Sequence, residues 1–482
     1  MSDDICRLSL SDVAAAIAAG TLSSEEATKA CLDRMARLNP ALNAVQYVDP
    51  DAALTAARQA DTEQAAGRRR GPLHGVPLAH KDMYYRAGRR SGCGSKIRAD
   101  FVPHVTATAL QRLDAAGALD MARLNMVEFA LGVTGHNDIT GTPRNPWNTA
   151  YIPGGSSSGS GVSVAARLTF GALGSDTGGS IRFPSCCNGV TGMKPTWSRV
   201  SRFGAMPLSP SLDCIGPLTR TVRDNALMLQ AIAGPDRRDS TASPLPVPDY
   251  VERLEKGIEG LKVAVPENYF YDQTEPEIAD LVRSSLDVLI GAGAEPVAVT
   301  IPDSIVPTNA FTSLIIAAEA AATHQLWLQE RPDDYGPQTR ARMMAGLTTA
   351  ASRYIQARSM RAPILAEFTE AVFAKADILH IPVMISPIPT IAESDTAANP
   401  GFMDAIVAMG LCTRPINYLG LPALTLPCGF DGNGLPTAFQ LVGRPFDEAT
   451  LYQAGAAYQR DTDWHEMMPQ IDGSASPYTK LH

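Results

Sequence analysis

Two clusters rich in glycine and serine carry the residues with the clearest chemical potential. They read GGSSSGS at 154–160 and GSDTGGS at 174–180. A flexible linker would be polar throughout, whereas the stretch between the clusters contains Val162, Leu168 and Phe170, which can anchor both clusters in a core. A serine hydroxyl activated by a neighbouring base attacks carbonyl compounds. The two clusters therefore predict an active site built on a serine nucleophile.

Nucleotide binding fits these glycines poorly. The chain contains no GxxxxGK[ST] motif, and GSGVSV at 159–164 lacks the third glycine of the dinucleotide motif GxGxxG. We therefore do not interpret the clusters as a phosphate-binding loop.

An esterase mechanism is one interpretation of the first cluster. GSSSG at 155–159 matches the G-x-S-x-G motif of α/β-hydrolases, which would make Ser157 the nucleophile. That mechanism also needs an acid and then a histidine further along the chain. The downstream histidines are His324, His380, His465 and His482, and none lies in a recognisable loop beside a partner acid. The esterase hypothesis thus lacks a base.

Three longer blocks resemble the amidase signature family, and the resemblance extends over roughly residues 5–465. The blocks are GVPLAHKDM at 75–83, the first serine cluster, and GSDTGGSIRFPSCCNGVTGMKPTWSRVSRFG at 174–204. The resemblance implies that Ser180 is the nucleophile, that Ser156 bridges it through a cis peptide bond, and that Lys81 is the base. The oxyanion hole that it implies consists of the backbone N–H groups of Thr177, Gly178, Gly179 and Ser180.

Lys81 must be uncharged to accept a proton. The apolar neighbours in VPLA at 76–79 favour burial, which lowers the pKa of a lysine. The carboxylate of the adjacent Asp82 would oppose this shift, so we expect it to point away from Lys81.

The resemblance also suggests residues around the nucleophile. We expect Asp176 and Arg182 to pair and hold the loop, Glu128 to have a structural role, and Cys186 and Cys187 to pack in the core. The candidate substrate-binding residues are Ala130, Leu131, Ser157 and Ile181.

The implied activity is hydrolysis of carboxylic amides, with small or aryl amides, anilides, carbamates and nylon-like oligomers within reach. The alternative is the glutaminase component of a tRNA-dependent amidotransferase, which works in a partner complex. The resemblance places an acidic glutamine-binding residue of that component near Gly410, while Arg342 matches its arginine. Because half of this clamp is missing, we expect an enzyme that acts alone on a small-molecule amide, with a homodimer left open and no metal or organic cofactor.

Composition excludes several other classes. The chain has 482 residues, 45% of them hydrophobic and 19% charged, which is typical of a globular protein. A formal net charge of −9 gives no basic field for nucleic acid. No uncharged apolar run is long enough for a membrane span, and Asp3 and Asp4 stand where a signal peptide would carry positive charge. With scattered cysteines, this predicts a cytoplasmic protein.

Helices and strands alternate along most of the chain and predict an α/β fold. Ser23 and Glu26 form a capping box that begins a helix, and Pro40 is expected to end it. The resemblance implies one large domain with a central twisted mixed β-sheet covered by helices on both faces. Within it we expect N-terminal helices at 1–66, the catalytic core at 67–234, a linker at 235–259, a second half at 260–465 that completes the sheet and pocket, and a tail at 466–482.

Overall fold

One mixed sheet of eleven strands forms the centre of the molecule. We describe it from a computed structural model that covers residues 2–471 and 478–479. In spatial order the strands run β1-β3-β2-β4-β6-β5-β10-β11-β9-β7-β8. The strands are β1 Val45–Val48, β2 Pro77–Lys81, β3 Leu119–Leu124, β4 Gly171–Asp176, β5 Thr191–Lys194, β6 Cys214–Thr219, β7 Lys262–Pro266, β8 Glu295–Val299, β9 Ile378–Pro382, β10 Ala423–Phe430 and β11 Pro436–Gly443.

Helices cover this sheet, and the predicted α/β class is confirmed. A separate short pair of strands, β12 Met468–Pro469 and β13 Tyr478–Thr479, follows the last helix. The helices are α1 Ser2–Arg7, α2 Leu10–Ala19, α3 Ser24–Leu42, α4 Pro50–Ala65, α5 Thr108–Ala115, α6 Ser158–Ala165, α7 Arg182–Asn188, α8 Val222–Ile232, α9 Pro276–Gly291, α10 Thr308–Glu330, α11 Pro337–Leu347, α12 Ala351–Ser359, α13 Arg361–Phe368, α14 Phe402–Met409, α15 Arg414–Leu419 and α16 Glu448–Arg460.

The predicted capping box is confirmed, but the predicted end of its helix is wrong. Ser23 accepts from the N–H of Glu26, whose carboxylate accepts in return from the N–H of Ser23. Helix α3 then continues through Pro40 to Leu42 and ends with Asn43 in the left-handed conformation. The buried side chains of Leu38 and Leu42 hold this last turn in the core, which outweighs the hydrogen bond that a proline removes.

Both halves of the chain contribute to the same sheet. Strand β5 of the first half pairs antiparallel with β10 of the second, so the hydrogen-bonded ladder crosses between them. Residues 235–259 form turns without a regular helix or strand, yet Tyr250 and Leu254 are fully buried. The segment boundaries remain a prediction, and 472–477 and 480–482 of the expected tail lie outside the described residues.

One described helix is long and apolar enough to pass a length-and-composition test for a membrane span. It covers Asp303–Glu330, and α10 makes up most of it. In the fold, α10 packs against α11, α12 and α15. Because core helices of soluble proteins pass the same test, this feature is weak evidence for a membrane.

The sheet brings the two sequence motifs together. Strands β2 and β4 are adjacent and parallel, with Ala79 opposite Ala172 and His80 opposite Leu173. Their carboxyl ends therefore lie at the same edge, where β2 ends at Lys81 and β4 leads into the second serine cluster. This is the usual place for a site in a parallel sheet.

Candidate active site

Lys81 is enclosed by serine hydroxyls. Its side chain is fully buried, and Nζ lies 2.7 Å from Ser156 Oγ, 2.9 Å from Ser175 Oγ and 3.2 Å from Ser157 Oγ. A neutral amine offers two N–H donors and one lone pair, so these three hydroxyls match its full hydrogen-bonding capacity. The arrangement lets the lone pair accept the proton of Ser156.

Burial lowers the pKa of Lys81 to about 7, although the carboxylates of Asp213 and Asp176 act in the opposite direction. A substantial fraction of Lys81 is therefore neutral near pH 7, as a general base requires. The adjacent Asp82 instead accepts a hydrogen bond from the N–H of Gly92 at 3.0 Å. Its carboxylate is thus directed to another loop, as the sequence predicts.

Ser156 follows a cis peptide bond from Gly155. Its hydroxyl contacts Lys81, while its carbonyl accepts from the N–H of Val127 at 3.1 Å. Ser156 and Ser180 are both described, and no hydrogen bond joins their hydroxyls. Such contacts are often loose before substrate binds. The structure places the lysine and its first serine together and leaves the second step to substrate binding.

The loop that carries Ser180 is fixed by one buried carboxylate. Asp176 forms an ion pair with Arg182 at 3.0 Å and accepts from the N–H groups of Gly179 at 2.7 Å and Ile181 at 3.1 Å. Asn417 Nδ2 donates to the same carboxylate at 2.8 Å. The expected pairing of Asp176 with Arg182 is therefore confirmed, and it holds the loop from within.

The candidate oxyanion donors differ in availability. The N–H of Gly179 is occupied by Asp176, whereas those of Thr177, Gly178 and Ser180 have no acceptor within the described chain. Gly179 adopts a φ of 127°, and a Cβ there would lie 2.8 Å from Thr413 Oγ1. Glycine is therefore required at this bend, and three of the four predicted donors are free for an oxyanion.

Two further polar residues support the site without any motif that announces them. Ser175 lies against Lys81, and Asp213 accepts from Thr177 Oγ1 at 2.6 Å. Burial raises the pKa of Asp213 to about 6. Ser175 belongs to the GSDTGGS cluster and could have been noticed there, but Asp213 precedes β6 and reaches the site only through the fold.

Comparison with known proteins agrees with this geometry. The family model described as Amidase matches residues 26–452. The chain belongs to the amidase family. It is 39% identical to one of the subunits of glutamyl-tRNA(Gln) amidotransferase from Chloroflexus aurantiacus, over 97% of this chain and 99% of that relative.

Solved structures with similar folds include different amidase-family enzymes. One, described as revealing the evolutionary origins of an s-triazine catabolic enzyme, has a TM-score of 0.87 at 32% identity and covers 94% of this chain and 98% of the other. The peptide amidase of Stenotrophomonas maltophilia has a TM-score of 0.81 at 30% identity and covers 94% and 96%.

The four candidate substrate-binding residues of this amidase-family chain occupy different environments. Ala130 and Leu131 are buried in a loop beside Ser156, and the carbonyl of Leu131 accepts from Arg342 at 2.9 Å. Ser157 is occupied by Lys81 and the backbone of Ser175. Ile181 is fully buried and packs against the sheet beside Gly192 and Gly216.

The structure thus leaves Ala130 and Leu131 as candidate pocket residues. Ser157 and Ile181 are directed to the lysine and to the core. The expected structural role of Glu128 is confirmed, since it accepts from Ser95 Oγ at 2.6 Å and from the N–H of Gly336 at 2.9 Å. Cys186 and Cys187 are buried in the core, as expected.

Proposed function

We propose that the protein hydrolyses carboxylic amides through an acyl-enzyme on Ser180, with Ser156 and Lys81 as the proton relay. The observation that carries the proposal is the fully buried Lys81, whose Nζ lies 2.7 Å from Ser156 Oγ and whose pKa is lowered to about 7. Ser157 is not the nucleophile in this mechanism, because its hydroxyl is bonded to Lys81 and to the carbonyl of Ser175.

The chemistry follows from the position of each group. Neutral Lys81 accepts the proton of Ser156, which accepts the proton of Ser180 as the Ser180 oxygen attacks the amide carbonyl. The free N–H groups of the nucleophile loop stabilise the negative charge on the carbonyl oxygen. The relay then returns a proton to the leaving nitrogen, the C–N bond breaks, and water hydrolyses the ester on Ser180.

Two substrate classes compete. The name of the Chloroflexus aurantiacus relative favours glutamine hydrolysis within a tRNA-dependent amidotransferase, and a protein partner would then complete the enzyme. Position 410 favours the other class, because the acidic residue that the family resemblance implies there for glutamine is a glycine, and Arg414 lies over it. We therefore propose a cytoplasmic amidase that acts without a partner on small or aryl amides, and the glutaminase component of an amidotransferase is the second candidate.

A hydrolysis screen tests this function. Purified protein is assayed against aliphatic amides, anilides, carbamates and glutamine, beside Ser180→Ala. We expect hydrolysis of amides other than glutamine, and complete loss of this activity in the variant. Glutaminase activity that appears only with an amidotransferase partner would favour the second candidate, and undiminished hydrolysis by Ser180→Ala would reject the mechanism.

A further inference from the structure

Arg414 is a buried cation beside the nucleophile loop. It is only 5% exposed, and its Cγ lies 3.4 Å from where a Cβ on Gly178 would stand. The preceding Thr413 donates to the carbonyl of Gly178 at 2.8 Å, which fixes this part of the chain against the loop. The acceptors for the Arg414 guanidinium are all uncharged: Asn309 Oδ1 at 2.9 Å and the carbonyls of Val407 at 3.3 Å and Ile406 at 3.4 Å.

Arg342 approaches the catalytic serines from the other side. It is half-buried on α11, and its one hydrogen bond among the described residues goes to the carbonyl of Leu131. Residue 131 follows the loop in which Val127 donates to the carbonyl of Ser156. Burial and the nearby charge of Arg342 lower the pKa of Arg414 to about 10, so the two cations are close enough to repel each other.

Gly410 and Arg414 form a matched pair. A Cβ on Gly410 would lie 2.6 Å from Arg414 Nε and 2.7 Å from Cζ, so the guanidinium occupies the space that any side chain at 410 would need. Where the family resemblance implies a carboxylate, this chain therefore presents a positive charge. An ammonium group on a substrate would be repelled there.

Neither arginine forms an ion pair in the part of the chain that the structure describes, although Arg414 is almost fully withdrawn from water. Holding cations in this way is costly unless an anion joins them. A guanidinium matches a carboxylate with parallel hydrogen bonds, and Arg342 has most of its donors free.

We propose that Arg342 and Arg414 together bind a carboxylate of the substrate, which makes the substrate an anionic amide without an ammonium group near that carboxylate. A monoamide of a dicarboxylic acid has this chemistry. The proposal rests on the proposed function, because it assigns the substrate of the Ser180 site.

Three matched amides test this inference. Glutaramate is glutamine without its ammonium group, and pentanamide lacks both charges. We expect kcat/KM for glutaramate to exceed that for pentanamide by about tenfold or more, mainly through KM, since hydrogen bonds to charged groups have this magnitude. Glutamine should be a poorer substrate than glutaramate. Equal values for glutaramate and pentanamide, or a preference for glutamine, would overturn the proposal.

A labelling experiment separates this inference from the proposed function. A neutral fluorophosphonate reports whether Ser180 is activated, and glutarate is then added as a competitor. No labelling of Ser180 would reject the proposed function itself. Labelling that glutarate slows, and that pentanamide does not, supports the inference, whereas labelling that glutarate leaves unchanged overturns it.

Substitutions locate the effect. Arg414→Met and Arg342→Met should each lower the ratio of kcat/KM for glutaramate to that for pentanamide by about tenfold. Arg414→Lys, which keeps the charge, should retain part of the preference. Arg340→Met is the matched control on the same helix, because Arg340 is exposed and pairs with Asp333, and its ratio should equal that of the wild type. An unchanged ratio in both arginine variants would refute the assignment, and thermal melting confirms that each variant is folded.

Discussion

Lys81 meets the requirements of a base through two local features. Burial disfavours its charged form, and the hydroxyls of Ser156, Ser157 and Ser175 use the hydrogen-bonding groups of the neutral amine. No histidine is needed in this arrangement. His80, the residue before Lys81, has its pKa lowered by burial to about 3 and is therefore neutral at the pH at which Lys81 works.

The pH dependence of activity follows from the lowered pKa of Lys81. We expect kcat/KM to rise with pH up to about 7 and then level off, because only the neutral amine accepts the proton of Ser156. Initial rates on an uncharged amide measured across this range check the prediction. A profile that is flat from well below pH 7 to well above it would contradict the role of Lys81.

Asp213 gives a way to shift that profile. Its carboxylate raises the pKa of Lys81, so Asp213→Asn should move the midpoint to lower pH. Asp82→Asn is the control, because Asp82 adjoins Lys81 in sequence but bonds to Gly92. An equal shift in both variants would mean that Asp213 has no specific effect on Lys81.

At the residue level, the sequence predicts the candidate triad and misses its support. Lys81, Ser156 and Ser180 lie in blocks long enough to be recognised. Asp213 lies in an unremarkable loop and becomes relevant only because β6 pairs with β4. Arg414 is equally silent in sequence, since its meaning depends on the missing side chain at 410.

The element that shapes the chemistry is the loop between β4 and α7. It turns sharply at Gly179, and Asp176 holds both sides of the turn through backbone N–H groups and Arg182. This arrangement keeps the remaining N–H groups directed away from the carboxylate, so they stay available to a substrate oxygen.

Gly179→Ala should therefore disable the enzyme. Its φ of 127° excludes an L side chain without strain, and the added Cβ would also contact the ring of Phe183. We expect kcat to fall by about a hundredfold or more, the magnitude seen when an oxyanion donor is lost. The measurement is kcat on one amide with folding verified by thermal melting.

Gly178→Ala is the matched comparison, because a Cβ there would make only a 3.4 Å contact with Arg414 and the backbone is not left-handed. Its loss should be clearly smaller. Equal losses in the two variants would show that the bend at Gly179 is not the determinant.

Elements with a regular apolar period are predictable from sequence. The pattern predicts a helix at 276–291 followed by a strand at 295–299, and the structure has α9 and β8 there. The continuation of α3 through Pro40 is not predictable in this way, because tertiary packing of Leu38 and Leu42 decides it.

At the scale of the whole molecule, the second half of the chain completes the site of the first. Asn417 and Gln440 contact the ion pair of Asp176 and Arg182, and Thr413 contacts Gly178. These contacts span more than two hundred residues of sequence. The sequence suggests that the second half walls the pocket, but which of its residues reach the nucleophile loop depends on how β10 pairs with β5.

The buried lysine should also leave a mark on global stability. Folded Lys81 titrates near pH 7, whereas an unfolded lysine titrates near 10.4, so the unfolded chain binds more protons between these values. The free energy of unfolding therefore rises with pH across this window by about 4–5 kcal/mol from this residue. Chemical denaturation of wild type and Lys81→Met at both ends of the window should show this difference, and parallel pH dependences would contradict it.

The central claim is that Ser180, rather than Ser157, is the nucleophile. Reaction with a fluorophosphonate, followed by mass spectrometry of the peptides, tests it most directly. We expect the label on Ser180 in the wild type, with labelling lost in Lys81→Ala. A label found on Ser157, or unchanged labelling without Lys81, would contradict the claim.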